Sequence, residues 1–469
     1  MALRYCIRNT RTCLNAIVFV RIADIIACVK YHIWTEGCQM NNADSLRVSA
    51  ALEDLGYQAC RQAEDADVIV LNTCMVRQSA EDKAVGRLTS LKSLKQRNPE
   101  LIINLMGCMV GVRGYDDLQQ RFPYVDVFSQ PSDPFPLIER LTGSARSVEN
   151  DRRHYIENIL DDEYGYTLPQ SNQGQQISAF LPIVFGCSHA CSYCIIPLKR
   201  GREISRPPEE VLADARSLVH KGVKEITLLG QIVDRYGLDQ PGYPSLAQLL
   251  RDLQEIEGLE RIRFLTSHPN YMTDELLDTV AELPKVMPHF ELPIQAGDDQ
   301  VLDNMRRGYT AAQYLSVVDK IHQRFRQTST PVSIAIDLIV GFPGESAEQF
   351  ERSVDILNTM HPDMTHVARY SPREGTLSTR TMPDDVSDEE KWRRFRVIEE
   401  LQKRITTEIN QTYLGKRTPV LFESKAKDRW RGRTTTNKLV FVESDENLLG
   451  QVREVTVNWT GPWSMIGVV

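Results

Sequence analysis

Short apolar runs alternate with longer amphipathic segments in the first part of the chain. Residues 31–34, 68–71 and 101–105 are apolar runs of strand length, and residues 44–55 have the spacing of a helix that ends at Gly56. Strands that alternate with helices predict a parallel α/β sheet. Because the carboxyl ends of parallel strands lie along one edge of a sheet, side chains that come directly after these strands are expected to meet there.

A second series of strands and helices occupies the middle of the chain. Helical patterns lie between its predicted strands, and the one at residues 208–220 has an apolar stripe along one face. The strands are predicted at residues 180–185, 225–229, 261–266, 290–294, 332–340 and 364–370. Six such units predict a partial or full α/β barrel of the TIM type, whose chemistry lies at the carboxyl ends of the strands.

The last part of the chain changes from helices to short strands. After an amphipathic helix predicted at residues 388–410, strands are expected at residues 419–422, 439–441 and 452–457. They predict a small all-β barrel of about sixty residues, a size typical of nucleic-acid-binding barrels.

The expected fold class is therefore α/β with an additional all-β module. An N-terminal parallel sheet domain is predicted at residues 30–145, a linker at 146–172, the central barrel at 173–405 and the C-terminal barrel at 406–469. Residues 1–29 carry four arginines and no acid before Asp24, and they are expected to be a leader outside the fold. We interpret this leader as disordered or as an over-extended start, with an organellar transit peptide as the alternative.

Composition and charge narrow the function classes. With 42% hydrophobic and 25% charged residues in a chain of 469, disordered, collagen-like and coiled-coil proteins are excluded. The net charge of -8 disfavours a nucleic-acid partner, but residues 391–438 contain 14 Lys and Arg against 5 Asp and Glu, while the rest contains 41 against 58. A basic segment of this kind can simply be a solvated face. Here, however, cationic residues flank a tryptophan in sequence, a mixture that is typical of RNA-binding surfaces. These residues are Lys425, Lys427, Arg429, Trp430, Arg431 and Arg433.

Cys187, Cys191 and Cys194, here called the loop cysteines, have the spacing Cys-x3-Cys-x2-Cys after a predicted strand. The chain has ten cysteines, too few for a small secreted disulfide scaffold, which indicates a reducing, cytoplasmic setting. Soft thiolates select iron–sulfur clusters or zinc. Zinc would need a fourth ligand such as His189, and the spacing lacks the paired ligands of structural zinc sites. An iron–sulfur cluster with one open iron is the favoured interpretation.

Three further cysteines, here called the sheet cysteines, each come directly after a predicted strand of the first sheet: Cys38, Cys74 and Cys108. Taken singly, each is most simply a buried structural cysteine. Placed after three parallel strands, they are expected to share one sheet edge. Cys60 lies in a polar context after the first helix and is interpreted as structural.

The cysteine loop resembles the cluster loop of radical S-adenosylmethionine (SAM) enzymes, and residues 31–469 resemble the methylthiotransferase family within that superfamily. Matching segments occur at residues 35–41, 72–74, 107–109, 187–197, 200–203, 267–269, 341–345, 370–373 and 432–434. The resemblance implies that the loop cysteines hold a 4Fe–4S cluster that binds SAM and that the sheet cysteines hold an auxiliary 4Fe–4S cluster. It also implies that the central barrel is the radical SAM core and that the C-terminal barrel is a tRNA-binding TRAM domain.

The branch of the family is suggested by the Gly-Cys-Gln-Met-Asn sequence at Cys38, which resembles enzymes acting on dimethylallyladenosine. The implied reaction is methylthiolation of C2 of N6-(dimethylallyl)adenosine in the tRNA anticodon loop, with two SAM and two 4Fe–4S clusters. Adenine C2 offers no easily lost proton, so acid–base catalysis has little to act on. Implied partners are that tRNA and an electron donor of flavodoxin or ferredoxin type, with the enzyme a cytoplasmic monomer without membrane contact.

Gly230 and Gln231, at the end of the second barrel strand, are the predicted SAM-binding residues. A glycine lets the backbone approach a ligand and the glutamine could meet the SAM amino group, although an ordinary turn is the alternative. Residues 341–344 are predicted to form the wall beside the SAM adenine, again with a generic turn as the alternative. Three arginines beyond the loop are expected to meet phosphates, to position SAM or to be solvated: Arg200, Arg202 and Arg206.

Two rival functions are compatible with the same sequence features. One is a methylthiotransferase that modifies threonylcarbamoyladenosine in tRNA or an aspartate of a ribosomal protein. The other is a non-catalytic iron–sulfur protein that binds RNA or transfers electrons. Five residues at barrel strand ends depart from those common in the family and bear on substrate positioning: Ile232, Asp234, Glu291, Ala296 and Asp298.

Overall fold

The N-terminal part is a five-stranded parallel sheet flanked by helices. Its strands are β1 Lys30–Thr35, β2 Gln58–Ala59, β3 Val68–Thr73, β4 Ile102–Gly107 and β5 Val127–Ser129. They lie in the order β2-β1-β3-β4-β5, and every pairing is parallel. The helices are α1 Gln39–Asp54, α2 Gln78–Arg97, α3 Asp116–Arg121 and α4 Phe135–Thr142. The central strand β3 is buried along its whole length, which explains why its apolar run predicted a strand.

This computed structural model describes residues 29–76, 78–143, 165–328 and 331–469. Most of the predicted leader and residues 146–164 of the predicted linker lie outside the described residues, as do Cys6, Cys13 and Cys28. None of the helices in the described ranges combines the length and the apolar character that crossing a bilayer requires.

The central part is a partial α/β barrel, as predicted. A short antiparallel pair, β7 Val184–Phe185 and β8 Ile204–Ser205, carries the cysteine loop between its strands. The barrel strands are β6 Ser178–Pro182, β9 Glu225–Leu229, β10 Arg261–Phe264, β11 His289–Glu291, β12 Ser333–Val340 and β13 Met364–Arg369. They form two parallel sheets, β10-β9-β6 and β11-β12-β13. A parallel bridge between Ile262 of β10 and Val286, which precedes β11, links the two sheets.

Helices surround these strands and enclose the largest apolar core. They are α5 Ile196–Lys199, α6 Pro208–His220, α7 Leu246–Gln254, α8 Asp274–Glu282, α9 Asp299–Asn304, α10 Ala311–Thr328, α11 Ala347–Met360, α12 Leu377–Thr381 and α13 Asp388–Gln411. Met40 and Ala43 of α1 belong to the same buried cluster as barrel residues such as Leu181 and Phe185. The N-terminal sheet domain and the barrel therefore share a core, which fixes the position of the sheet cysteines relative to the barrel.

The C-terminal module is a closed five-stranded barrel. Its strands are β14 Arg417–Ala426, β15 Arg429–Thr434, β16 Leu439–Glu443, β17 Val452–Thr460 and β18 Met465–Val468. It docks on the amino ends of the central strands, where Arg261 donates to the Arg433 carbonyl at 2.7 Å and Arg263 donates to the Thr434 carbonyl at 2.8 Å. The C-terminal barrel therefore lies at the end of the central barrel opposite the cysteine loop.

Candidate iron–sulfur and SAM site

The structure brings the three sheet cysteines together at the carboxyl edge of the N-terminal sheet. Cys38 comes after β1, Cys74 after β3 and Cys108 after β4, so three parallel strands deliver them to one place. The thiols of Cys38 and Cys74 are hydrogen-bonded, and Cys108 is close enough to Cys74 for their charges to interact. The expectation that these cysteines share one sheet edge is met.

Glycines allow the sheet cysteines to approach one another. Gly37 has a φ of 141°, and a Cβ at this position would lie 2.5 Å from the Cβ of Cys74. Gly107 has a φ of 98°, and a Cβ there would lie 2.6 Å from the Thr73 carbonyl oxygen. Side chains at these two positions would push the loops at Cys74 and Cys108 apart, so both glycines are needed by the site.

Polar contacts hold the loop at Cys38. The Asn41 side chain donates to the Asn72 side-chain oxygen at 2.7 Å and to the Thr73 carbonyl at 2.9 Å, and Cys38 donates to Asn41 at 3.2 Å. The hydrogen bond with Cys74 lowers the pKa of the Cys38 thiol, and the positive charge of Arg200 lowers it further against the effect of burial. Asn41 and Asn72 lie within segments that carry the family resemblance, but neither was predicted to be a site residue; their positions beside cysteines at strand ends were the available signal.

The loop cysteines lie between β7 and β8 at the carboxyl side of the barrel. The His189 amide donates to Cys187 at 3.4 Å, the His189 ring lies 3.3 Å from the Cys191 sulfur, and Arg307 donates to the same sulfur at 3.3 Å. Burial raises the pKa of Cys187 to about 11 and that of Cys194 to about 12. Without a metal group these thiols therefore keep their protons at neutral pH, and they lose them when a metal group binds.

A cavity of about 600 Å³ reaches all three loop cysteines. Its other lining residues are mainly small or apolar, with three arginines and no Asp or Glu. Across the described ranges no three His, Cys, Asp or Glu side chains converge closely enough to bind a single metal ion. A 4Fe–4S cluster places its thiolates on separate irons and does not need them to converge. The donor set, three thiols without a carboxylate, fits such a cluster.

Two of the three arginines after the loop are structural, which corrects the sequence prediction. Arg200 is 3% exposed, and its Nε donates to the sulfur of Cys108 at 3.2 Å. Arg206 is 1% exposed, and its Nη2 donates to Asp214 at 2.8 Å. The interpretation that these two meet phosphates or solvent is wrong, because both are enclosed by partners inside the protein. Arg202 is exposed and lines the cavity at the loop cysteines.

Gly230 and Gln231 lie at the end of β9 as predicted. A Cβ on Gly230 would lie 3.1 Å from the Cβ of Val184 and 3.2 Å from the Cα of Val233, so packing against the cysteine-bearing strand accounts for this glycine. Gln231 is half-buried, and neither residue lines the cavity at the loop cysteines. Their role towards SAM stays a prediction.

The wall predicted at residues 341–344 is filled by a buried aromatic ring. Gly341 has a φ of 71° and its amide donates to Glu345 at 2.6 Å, which closes a tight turn after β12. Phe342 is fully buried, 6.4 Å from the Tyr193 ring and 5.4 Å from the Tyr370 ring. Tyr193 precedes Cys194, so this turn packs directly behind the cysteine loop.

The five departing residues have distinct structural roles. Ile232 packs with Cys187, and Ala296 is fully buried. Asp298 caps α9 by accepting from two of its amides, and the Asp234 carboxylate accepts from the His268 amide. Burial raises the pKa of Asp234 to about 8. Glu291 faces a second cavity inside the barrel, where burial and the charge of Asp337 raise its pKa to about 7.

This second cavity, here called the lumen cavity, has a volume of about 570 Å³ and runs along the barrel interior. Phe180, Thr227 and Glu291 line it from barrel strands, and Arg431 and Arg433 line it from the C-terminal barrel. The lumen cavity therefore extends from the basic C-terminal module to Glu291 at the carboxyl end of β11.

Comparisons with known proteins agree with these features. Residues 181–357 match the family model for the radical SAM superfamily, and residues 30–129 match that of the uncharacterized protein family UPF0004. The chain is similar to the tRNA-2-methylthio-N(6)-dimethylallyladenosine synthase of Herpetosiphon aurantiacus, with 44% identity over 93% of this chain and 97% of the relative. It is 43% identical to the synthase of the same name from a Roseiflexus species, over 94% of this chain and 89% of that one.

Among solved structures, the fold is similar to that of the radical SAM methyltransferase TsrM from Kitasatospora setae. The TM-score is 0.54 at 14% sequence identity, and the match covers 91% of this chain and 83% of TsrM. At this identity the likeness concerns the fold, and it agrees with the α/β architecture expected from the sequence.

Proposed function

Because the chain belongs to the tRNA-2-methylthio-N(6)-dimethylallyladenosine synthase family, we propose that it methylthiolates C2 of N6-(dimethylallyl)adenosine in the anticodon loop of tRNA. The observation that carries this proposal is the pair of cysteine sets, one at the edge of a parallel sheet and one at the carboxyl side of the adjoining barrel. Arg200 comes after the second set in sequence and donates to a member of the first, so the two sets are neighbours in space.

The loop cysteines hold a 4Fe–4S cluster that binds SAM, and the sheet cysteines hold an auxiliary 4Fe–4S cluster. When bound, the first cluster and SAM supply radical chemistry, which can act on an aromatic C–H bond that lacks an acidic proton. The chain's own residues prepare this site. Burial keeps water away from Cys74 and Cys108. Arg307 donates a hydrogen bond to Cys191 of the loop set, and Arg200 donates one to Cys108 of the sheet set. Gly230 and Gln231 bind SAM at the end of β9.

Substrate RNA binds at the C-terminal barrel, and its target base enters the lumen cavity. Support comes from the exposed Arg431 and half-buried Arg433 at the cavity, which can contact phosphates, and from the polar Glu291 further along its wall. A base must leave the anticodon-loop stack to enter, and this costs a few kcal/mol, less in a flexible loop than in a duplex.

We further propose a domain organisation, a monomeric state, an electron donor and a cellular location. Residues 30–145 form the methylthiotransferase domain, 173–405 the radical SAM core and 406–469 the TRAM domain, with 146–172 as a linker. The enzyme works as a monomer with two SAM per product and takes electrons from a protein of flavodoxin or ferredoxin type. A cytoplasmic location suits a tRNA substrate and thiols that must stay reduced.

The test is complementation of a bacterial host that lacks methylthiolation of its tRNA. Mass spectrometry of the tRNA nucleosides should show 2-methylthio-N6-dimethylallyladenosine when the wild-type chain is expressed, and only N6-dimethylallyladenosine with Cys191→Ala or Cys108→Ala. Cys60→Ala is the matched control, because Cys60 donates to the carbonyls of Tyr31 and Gln62 and contacts neither cysteine set. Absence of the methylthio product with the wild type contradicts the proposal.

The same experiment separates the rival functions. Methylthiolated threonylcarbamoyladenosine would favour the first rival. A protein that carries clusters but forms no 5′-deoxyadenosine from SAM after anaerobic reduction would favour the non-catalytic iron–sulfur protein.

A further inference from the structure

Three arginines surround the cavity that reaches the loop cysteines. Arg113 comes from the segment after Cys108, Arg202 from the segment after the loop, and Arg306 from the turn after α9. All three are exposed. The cavity lining contains no Asp or Glu, and within the described ranges none of the three arginines forms an ion pair with a carboxylate. Three positive charges that form no ion pair within the described ranges therefore line this opening, here called the rim.

The positive charge of this rim is opposite in sign to the net charge of the chain outside residues 391–438. Outside residues 391–438 the chain has 41 Lys and Arg against 58 Asp and Glu. A positive rim on an acidic body attracts an anionic partner, and the acidic remainder of the chain outside residues 391–438 repels it. Steering of this kind raises association rates by about 10 to 10³, and the gain falls steeply as ionic strength rises.

The position of the rim indicates which anionic partner it receives. Cys191 and Cys194 are partly exposed and line this cavity together with the buried Cys187, whereas of the sheet cysteines only Cys38 is partly exposed. The loop set is therefore the more accessible of the two sets to an electron that comes from outside. The basic surface for RNA lies elsewhere, because Arg431 and Arg433 belong to the C-terminal barrel, which docks on the amino ends of the central strands. The rim at the loop cysteines is thus separate from the RNA surface.

We propose that Arg113, Arg202 and Arg306 form the docking surface for an acidic one-electron donor protein that reduces the cluster on the loop cysteines. This inference rests on the proposed function, which places that cluster there. One electron leaves the reduced flavin or iron–sulfur group of the donor, which is oxidised, and enters the oxidised cluster, which is reduced; no bond forms or breaks. Electron-transfer complexes of this type have small, weak and transient interfaces, which suits three charges around one opening.

The test compares reduction rates of the reconstituted holoenzyme by stopped-flow absorbance without oxygen. The variant is Arg113→Gln/Arg202→Gln/Arg306→Gln. A matched control removes three exposed arginines remote from the cavity: Arg121, Arg140 and Arg216, each replaced by Gln. With photoreduced flavodoxin at low salt, the rim variant should be reduced about tenfold or more slowly than wild type, and its rate should lose most of its salt dependence. The control should behave as wild type.

Two further measurements make the result decisive. Reduced methyl viologen is a small cation that needs no docking surface and is repelled by a positive rim, so it should reduce the rim variant at least as fast as the wild type, which also shows that the cluster is intact. Affinity for an anticodon stem-loop should be unchanged. A wild-type rate with flavodoxin overturns the proposal, and so does a fall in stem-loop affinity without a fall in that rate, which would make these arginines RNA contacts. If viologen reduces no cluster in the wild type, the proposed function itself fails.

Discussion

Arg200 donates a hydrogen bond from its Nε to the sulfur of Cys108 at 3.2 Å, although one residue belongs to the central barrel and the other to the N-terminal sheet. The guanidinium also lies 3.7 Å from the fully buried carboxylate of Asp44. Hydrogen bonds to cluster sulfurs tune reduction potentials, because they withdraw electron density from the thiolate and favour the reduced state. Arg200 is therefore a positioning residue that joins the two cysteine sets, and it would raise the reduction potential of the proposed auxiliary cluster.

Removing this hydrogen bond should lower the midpoint potential of the auxiliary cluster. The variant is Arg200→Gln/Asp44→Asn, in which the second change avoids leaving a buried carboxylate without its cation. A redox titration followed by electron paramagnetic resonance measures the shift. The control is Arg206→Gln/Asp214→Asn, which removes another buried ion pair after the same loop, one that has no cysteine contact. An auxiliary potential that is equal in both variants contradicts the role of Arg200.

Replacement of Gly37 by alanine should empty the auxiliary site and spare the other. A Cβ at Gly37 would lie 2.5 Å from the Cβ of Cys74, so the loops must separate. Iron and sulfide contents after reconstitution should fall to about half, because one of two equal clusters is lost. Gly56→Ala is the control: Gly56 has a φ of 88°, and a Cβ there would meet nothing within 4 Å. This variant should lose about 1 kcal/mol of stability through its positive φ and keep its full iron content. Full iron in Gly37→Ala would show that the loop adapts.

Burial decided which elements the sequence could predict. The apolar runs located β9 and the amphipathic stripe located α6 at their observed bounds. The strands β2 and β5 are too short to show a pattern, and β15 alternates arginines with Trp and Gly, which hides its inward face. Hydrogen bonds to neighbouring strands fix these three strands in their sheets, and a local sequence pattern does not reveal which strands will be neighbours.

In the candidate site, too, some features could be predicted from the sequence and others could not. Topology alone placed the sheet cysteines on one edge, because the residues directly after parallel neighbouring strands must lie on the same side of the sheet. The roles of Arg200 and Arg206 could not be predicted, since burial of a charged side chain depends on partners that the fold supplies. For Arg200 these are Asp44 and Cys108, both from the other domain. Arg206 pairs with Asp214 of α6, a residue near in sequence whose orientation only the fold sets.

Stability should depend on pH through Glu291. Burial in the lumen cavity raises its pKa to about 7, with the charge of Asp337 adding to the effect, whereas an unfolded glutamate titrates near 4.3. The folded state thus binds this proton more tightly, so the contribution is complete below about pH 4.3 and is lost as pH rises through about 7. Glu291→Gln should therefore gain stability relative to wild type between pH 5 and 8, by at most about 3 kcal/mol.

Thermal unfolding measured at several pH values tests this prediction. Glu282→Gln, at the exposed end of α8, is the matched control. The difference in unfolding temperature between this variant and wild type should be the same at every pH. If the difference between Glu291→Gln and wild type is the same at pH 5 and pH 8, the folded and unfolded states bind this proton equally, and the buried-carboxyl account of Glu291 is wrong.

Attachment of the C-terminal barrel should depend on Arg263. This residue is 3% exposed, pairs with the buried Glu225 at 3.0 Å and donates to the carbonyls of Thr434 and Thr435. Arg263→Met removes the ion-pair partner of the buried Glu225 carboxylate and the side-chain donor to both carbonyls, while the Thr434 carbonyl keeps the Asn437 amide. The loss should cost about 3–5 kcal/mol, mainly because the buried Glu225 charge is left without its cation. Arg251→Met breaks an exposed pair with Glu275 and should cost less than about 1 kcal/mol. Arg263→Met should unfold at lower temperature than Arg251→Met and release its C-terminal barrel faster in limited proteolysis; equal behaviour would mean that other contacts hold the two barrels together.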